Sequence, residues 1–349
     1  MRLAAEYVLP LRWDDDEALH ELTEYLRVLA GWIDVTVVDG SDADLFAAHA
    51  HSWAAHVRHI QPNITRGANG KVRGVLTGLA LARHERVVLA DDDVRYDRSS
   101  LDVVVSALEG AELVAPQNVF RPLPWHARWD TGRILVNRAF HRDYPGTYAV
   151  RRSVLDRTGG YDADALFENL ELERTVRVTG GRLRLRPDVY VARRPPTLRH
   201  FLGQRVRQAY DSHAQPLRLV LELSIAPLVF GLRRRPDLLA LLTLGVVAAA
   251  EFGRRRAGGH REFPRSAPLW APLWALERAV TSWIALGARA RGGVRYADTR
   301  FPHAATSLRE LRRRHCAPGR GVRGATAASR APDTQSSPAG QRSSGARSP

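Results

Sequence analysis

Three consecutive aspartates, Asp91, Asp92 and Asp93, close the apolar run in "VVLADDDVRYDR", residues 87–98. Carboxylates this close repel one another unless counter-charge lies nearby, and a divalent cation such as Mg2+ or Mn2+ supplies it through hard oxygen ligation. Asp91 and Asp93, two residues apart in a turn, can face one site; a solvated acidic turn is the plain alternative. A second acidic pair, Asp39 and Asp42, ends another apolar run, "IDVTVVDGSD".

Bringing these clusters together is a task for the surrounding elements. "EYVLPL", "IDVTVVDGS", "RVVLADDD" and "AELVAPQ" read as strands. Between them lie helical patterns, such as Leu19, Leu22, Leu26 and Leu29 at three- and four-residue spacing, and "GKVRGVLTGLALARH". Continuous apolar strands alternating with helices predict a mostly parallel sheet covered on both faces. Such sheets bind ligands beyond the C-terminal strand ends, where Asp39 and Asp91–Asp93 both fall. The acidic clusters are therefore expected to converge although about 50 residues separate them.

The chain has 349 residues, 44% of them hydrophobic, enough for one domain of about 200 residues and a smaller part. Its net charge of +15, nearly all arginine, favours anionic partners without choosing among phosphates, a membrane surface or nucleic acid. The single cysteine, Cys316, excludes a disulfide framework or a cysteine-built metal site. "MRLAAEYVLPLRWDDD" is not a signal peptide, so the catalytic part is expected in the cytoplasm. Beyond Arg199 the composition changes. Runs at 216–232 and 236–253, flanked by arginines, and a tryptophan-bearing stretch with Trp270, Trp274 and Trp283 read as membrane-associated segments. A soluble helical domain is the alternative. The expected division is 1–210 catalytic, 211–305 membrane-associated, and 306–349 a basic tail, largely disordered.

The order "VVDGSD", "NGKVRGVLTGLALA", "VVLADDDV", "GTYAVRRSVLDRTGGYD", "FENLELERTVR", "GQRVRQAYD" and "GGVRYADTRF" resembles the inverting family 2 glycosyltransferases. It covers roughly residues 5 to 305 and is most similar to the membrane-bound branch that includes ceramide glucosyltransferase. The resemblance implies an α/β, GT-A nucleotide-diphospho-sugar transferase fold with C-terminal membrane-associated helices. It implies a nucleotide-diphosphate sugar as donor, Mg2+ or Mn2+ as cofactor, a lipid or lipid-linked acceptor, and a catalytic domain on the cytoplasmic side of the cell membrane.

By the same resemblance, Asp39 contacts the nucleotide base, with Asp42 as a weaker companion, and Lys71 lies beside the nucleotide. Capping of the turn at Gly40 and Ser41 is an ordinary second role for Asp39. Asp91 and Asp93 match the outer pair of an Asp-x-Asp signature and take the metal; Asp91 and Asp92 also fall to the nucleotide side. Gln204 and Arg207 match a Gln-x-x-Arg-Trp motif near the diphosphate, with Gln208 where tryptophan is usual. An inverting transfer also needs a base for the acceptor hydroxyl. Asn169 stands in the usual aspartate's place and cannot serve, which leaves Glu168 or, near one turn on, Glu171.

Two other readings stay beside this one. A non-catalytic sugar- or lipid-binding relative draws support from Asn169, and a polysaccharide synthase would need more membrane segments than are present. No helix-turn-helix or zinc pattern accompanies the arginines, so a nucleic-acid partner is not expected.

Overall fold

A computed structural model describes residues 2–296 and 299–316, and the chain as far as Cys316 is one compact unit. Its first part runs β1 (Glu6–Leu11), α1 (Leu19–Ala30), β2 (Asp34–Asp39), α2 (Ala43–Trp53), β3 (Arg58–Ile60), α3 (Gly70–Leu81), β4 (Arg86–Ala90), β5 (Val94–Arg95) and α4 (Arg98–Ser106). There follow β6 (Leu113–Phe120), α5 (Trp125–Phe140), β7 (Thr147–Arg151), α6 (Arg152–Asp156), α7 (Glu168–Val178) and β8 (Leu183–Arg193).

The strands form one eight-stranded sheet in the order β3-β2-β1-β4-β7-β6-β8-β5. β3, β2, β1 and β4 are parallel, and Glu6 is in register with both Asp34 and Val87. The C-terminal ends of β2 and β4 therefore share an edge, which carries Asp39 and the turn at Asp91. β7 departs from the expected pattern by running antiparallel between β4 and β6. β1, β2, β4, β6 and β7 are buried almost throughout because their apolar residues face helices on both sides. Tyr7, Leu9, Val35 and Val37 pack with Leu22, Leu26 and Leu29 of α1, whereas Val8 and Leu89 pack with Val72, Val75 and Leu79 of α3. Side chains fix the helix starts: Asn69 accepts from the Val72 amide and Asp42 from that of Leu45.

The C-terminal part holds α8 (Leu198–Gly203), α9 (Arg205–Tyr210), α10 (Pro216–Gly231), α11 (Pro236–Arg255), α12 (Ala271–Ala290), the hairpin β9 (Val294–Tyr296) and β10 (Thr299–Phe301), and α13 (Leu308–Cys316). The expectation of three membrane-associated segments is corrected here. Among the described residues one helical stretch, Pro236–Arg261, is long and apolar enough to cross a membrane. The other two runs each turn a buried charge toward the protein, although Leu217, Leu221 and Phe230 of α10 and Val280 and Ile284 of α12 are exposed. α10 is a 16-residue helix with Pro227 inside it, and its buried Glu222 accepts from Arg218 and from Ser282 of α12. α12 buries Arg278 completely and packs on α5 and α9. α11 itself packs along α5 through Ala250 and Gly253, although Leu241 and Leu244 on its outer face are exposed. Of the tail expected from residue 306, Leu308–Cys316 is helical, and residues 317–349 lie outside the described residues.

Candidate active site

The turn after β4 places the three aspartates in three different environments. Asp91 lies 2.5 Å from Lys71 Nζ, on the first turn of α3, and 3.4 Å from Arg193 Nη2 at the end of β8. Asp93 Oδ2 accepts from Arg193 Nε at 2.7 Å, while its Oδ1 is buried without a hydrogen-bond partner. Burial, against the pull of Arg193 and with the push of Asp91 and Asp92, raises the Asp93 carboxyl to about 6. Asp92 accepts from Trp13 Nε1 at 2.6 Å and so ties the turn to the segment after β1.

These oxygens suit a divalent ion. An orphaned, buried Asp93 oxygen beside the Asp91 carboxylate is a hard donor pair, and Arg193 with Lys71 holds the counter-charge in the structure as it stands. Access is kept by Gly146, whose amide donates to Asn118 Oδ1. A Cβ at this position would come within 2.8 Å of Asp91 Oδ2 and 3.2 Å of the Arg193 guanidinium.

Lys71 reaches a second carboxylate, Glu168 Oε1, at 2.6 Å. Burial alone would lower the Lys71 ammonium, but Asp91 and Glu168 hold it well above its ordinary value. The Glu168 carboxyl is correspondingly lowered: burial raises it, and Lys71 and Arg207 outweigh that. Arg207 lies over the Tyr296 ring at 4.2 Å, in electrostatic reach of Asp211, Glu168 and Asp91. Asp91, Asp93, Lys71, Glu168 and Arg207 are thus brought together from four separate segments.

Other expected site residues are placed elsewhere. Asp42 caps α2. Gln204 hydrogen-bonds His200 within its own helical turn. Asn169 donates to the Pro145 carbonyl. Glu171 Oε2 accepts from the Thr306 amide at 2.6 Å, and its charged neighbours are Asp162 and Arg174; burial raises its carboxyl. Glu173 is bound by Arg142 and Tyr148.

Asp39 sits fully buried in a cluster that the sequence did not disclose. Oδ1 accepts from the Ser41 amide, and Oδ2 lies 2.6 Å from His49 Nδ1 and 2.9 Å from His59 Nε2. His49 Nε2 continues to Asp16 at 2.8 Å. The Asp39, His49 and His59 ligand atoms lie within 4.8 Å of one another, as a metal site requires, although each already has a hydrogen-bond partner. Burial opposes ionisation of Asp39, but the bonds from His59, Ser41 and His49 prevail and hold its carboxyl well below the usual range. A depressed folded value stabilises above the unfolded value, about 4, and that stability drains away as pH falls below it. Asp39→Asn is therefore expected to flatten the acid limb of stability. Urea unfolding between about pH 2 and pH 6 checks it; a limb as steep as in the wild type would refute it.

Arg193, Trp13 and the two histidines were missed in the sequence. Arg193 is the first of the two arginines in "YVARR", ahead of Pro195-Pro196, so a basic residue at a strand end was the available signal. The histidines gave none, since His59 reaches Asp39 through the pairing of β3 with β2 and His49 through the packing of α2.

No protein-family model matches the sequence, and no curated protein matches it. Among solved structures the chain is similar to the mannosyltransferase PcManGT from Pyrobaculum calidifontis in complex with GDP-Man and Mn2+. Identity is 18% over 81% of this chain and 88% of that one, with a TM-score of 0.46. It is also similar to glucosyl-3-phosphoglycerate synthase from Mycobacterium tuberculosis with Mn2+, UDP and phosphoglyceric acid (18%, 57% and 73%, TM-score 0.39). Mannosyl-3-phosphoglycerate synthase from Rubrobacter xylanophilus is a third (14%, 57% and 69%, TM-score 0.39). The assignment to the membrane-bound branch of family 2, with its GT-A label and ceramide glucosyltransferase likeness, is corrected: no family model carries it, and these structures are of other enzymes. The lipid acceptor, the membrane partner and the cell-membrane location went with that assignment and are withdrawn with it.

Proposed function

We propose that the chain is a metal-dependent glycosyltransferase that moves a sugar, with inversion, from a nucleotide-diphosphate donor to a hydroxyl of a small polyol. The observation that carries this reading is the convergence of Asp91, Asp93, Lys71, Glu168 and Arg207 at the C-terminal edge of parallel strands. Asp91 and Asp93 would hold Mg2+ or Mn2+, which when bound offsets the charge of the leaving diphosphate. Arg207, fixed by Tyr296, offers a second cation to the same diphosphate. Lys71 joins the metal-side carboxylate to Glu168 and so keeps the donor and acceptor halves of the site in register. The site is lined by charged groups, which suits a polar acceptor better than an apolar one.

A donor screen tests the reading. Protein with Mn2+ is offered UDP- and GDP-sugars together with small polyols, phosphoglyceric acid among them, while nucleotide release and product mass are followed. Sugar transfer from one donor is the expected result. Donor binding with no turnover under any pairing would favour a non-catalytic sugar-binding protein instead.

A further inference from the structure

Neither expected base is well placed to take a proton. Glu168 is in contact with the Lys71 ammonium, which holds it ionised and weakens it as a proton acceptor. Glu171 has a buried Oε1 without a partner, but its Oε2 accepts from the Thr306 amide and its charged neighbours, Asp162 and Arg174, do not include Asp91 or Arg207. Asn169 has no basic atom. A transfer at this site still needs a group to receive the acceptor's proton.

Asp211 is a carboxylate that the resemblance does not assign and that no ion pair among the described residues claims. It follows α9 with helical backbone angles, φ −58° and ψ −27°, so it stands four residues from Arg207 on the same face. Its Oδ1 is enclosed and has no hydrogen-bond partner. Four charged groups lie within its electrostatic reach, each from a different helix: Arg207 on α9, Glu168 on α7, Arg218 on α10 and Arg278 on α12. Two of the four belong to the candidate active site. Arg218 is engaged by Glu222 at 2.9 Å, and Arg278 lies 3.9 Å from the same carboxylate. We propose that Asp211 is the general base of the transfer, with Glu168 as a positioning residue that acts through Lys71.

This assignment rests on the glycosyl-transfer reading and deepens it. In the step, an electron pair of the acceptor oxygen forms the bond to the anomeric carbon. The bond from that carbon to the diphosphate oxygen breaks, and its pair leaves on the diphosphate. The hydroxyl proton passes to the Asp211 carboxylate and from there to solvent. Burial raises this carboxyl, against Arg207 and with Glu168, to about 7. A base with that value is still substantially ionised at neutral pH and accepts a proton far more readily than an ordinary aspartate.

The test compares wild type, Asp211→Asn and Asp211→Ala with the donor found active in the screen. Nucleotide binding in Mn2+ is measured by calorimetry and kcat across a range of pH. Asp211→Asn is expected to keep nucleotide binding and the donor KM and to lose about 100-fold or more in kcat. The wild-type rate should rise with pH through about 7, and the variant's residual rate should lack that rise. Added formate should restore part of the Asp211→Ala rate, which a purely structural role would not permit. Near-normal kcat in Asp211→Asn, or the same rise near pH 7 without Asp211, overturns the assignment alone. A wild-type protein that binds nucleotide and turns over no donor overturns the transfer reading, and this assignment with it.

Discussion

Asp93→Ala is expected to lower donor turnover by about 100-fold or more while leaving the fold intact. The loss follows from what the two oxygens do. Oδ1 is the buried orphan available to a cation, and Oδ2 is the acceptor that holds the Arg193 guanidinium at 2.7 Å. Removing both frees Arg193 to move fully onto Asp91, to which it is already 3.4 Å away. Asp91 would then be shared between Lys71 and Arg193, and its oxygens would be less available to a metal. Donor affinity measured with and without Mn2+ separates the effects: the metal-dependent part should vanish, and the metal-independent part should persist through Lys71 and Arg207. Arg193→Gln is the informative companion. It removes a competing cation without touching a ligand oxygen, so Mn2+ binding should be retained or tightened. Undiminished transfer by Asp93→Ala in the presence of a chelator would sink the metal assignment.

In the first 120 residues β1, α1, β2, α3, β4, α4 and β6 were legible because each buries a continuous or periodic apolar run, whereas α2 and β3 lie in a polar stretch that carries no such signal. The same reading placed Asp39 and Asp91 at one edge, since parallel strands separated by helices must end on the same side. β7 was not legible as an antiparallel strand. "TYAVR" is buried like its neighbours, and nothing in a buried run of five residues encodes direction. At the site, Asp91, Asp93 and Lys71 could be found by spacing, whereas their ionic partners could not. Arg193 pairs with Asp93 across 100 residues, and Lys71 meets Glu168 across 97. Such contacts are fixed by sheet order, and a mostly parallel sheet was foreseen without any strand order. Apolar composition misled in the C-terminal part. α10 read as a membrane segment from its apolar run and α12 from its tryptophans, yet Glu222, Arg278 and Ser282, with the half-buried Arg218, make a polar seam between them. Four polar residues among so many apolar ones leave the average hydropathy high while deciding what the helices pack against.

Two glycines on α11 are expected to respond in opposite directions to the same substitution. Gly253 lies against α5, where a Cβ would sit 1.9 Å from the Leu135 carbonyl oxygen and 3.0 Å from the Ala139 amide nitrogen. These are backbone atoms of a packed helix and cannot rotate aside, so Gly253→Ala must push the two helices apart. Overpacking of this kind costs about 3 kcal/mol or more, against the roughly 1 kcal/mol that alanine gains over glycine in a helix. Gly245, two turns earlier, has nothing within 4 Å of its Cβ position. There only the propensity applies, and Gly245→Ala should stabilise by up to about 1 kcal/mol. The displacement at Gly253 also bears on the site. α5 carries Asp130, which holds Arg205 at 3.2 Å, and Arg205 lies two residues from Arg207 on α9. Gly253→Ala should therefore lose stability and donor turnover together, whereas Gly245→Ala should leave turnover unchanged. Thermal unfolding of both variants beside their transfer rates decides it. Equal unfolding temperatures would show that α11 does not bear on α5 as closely as these distances require.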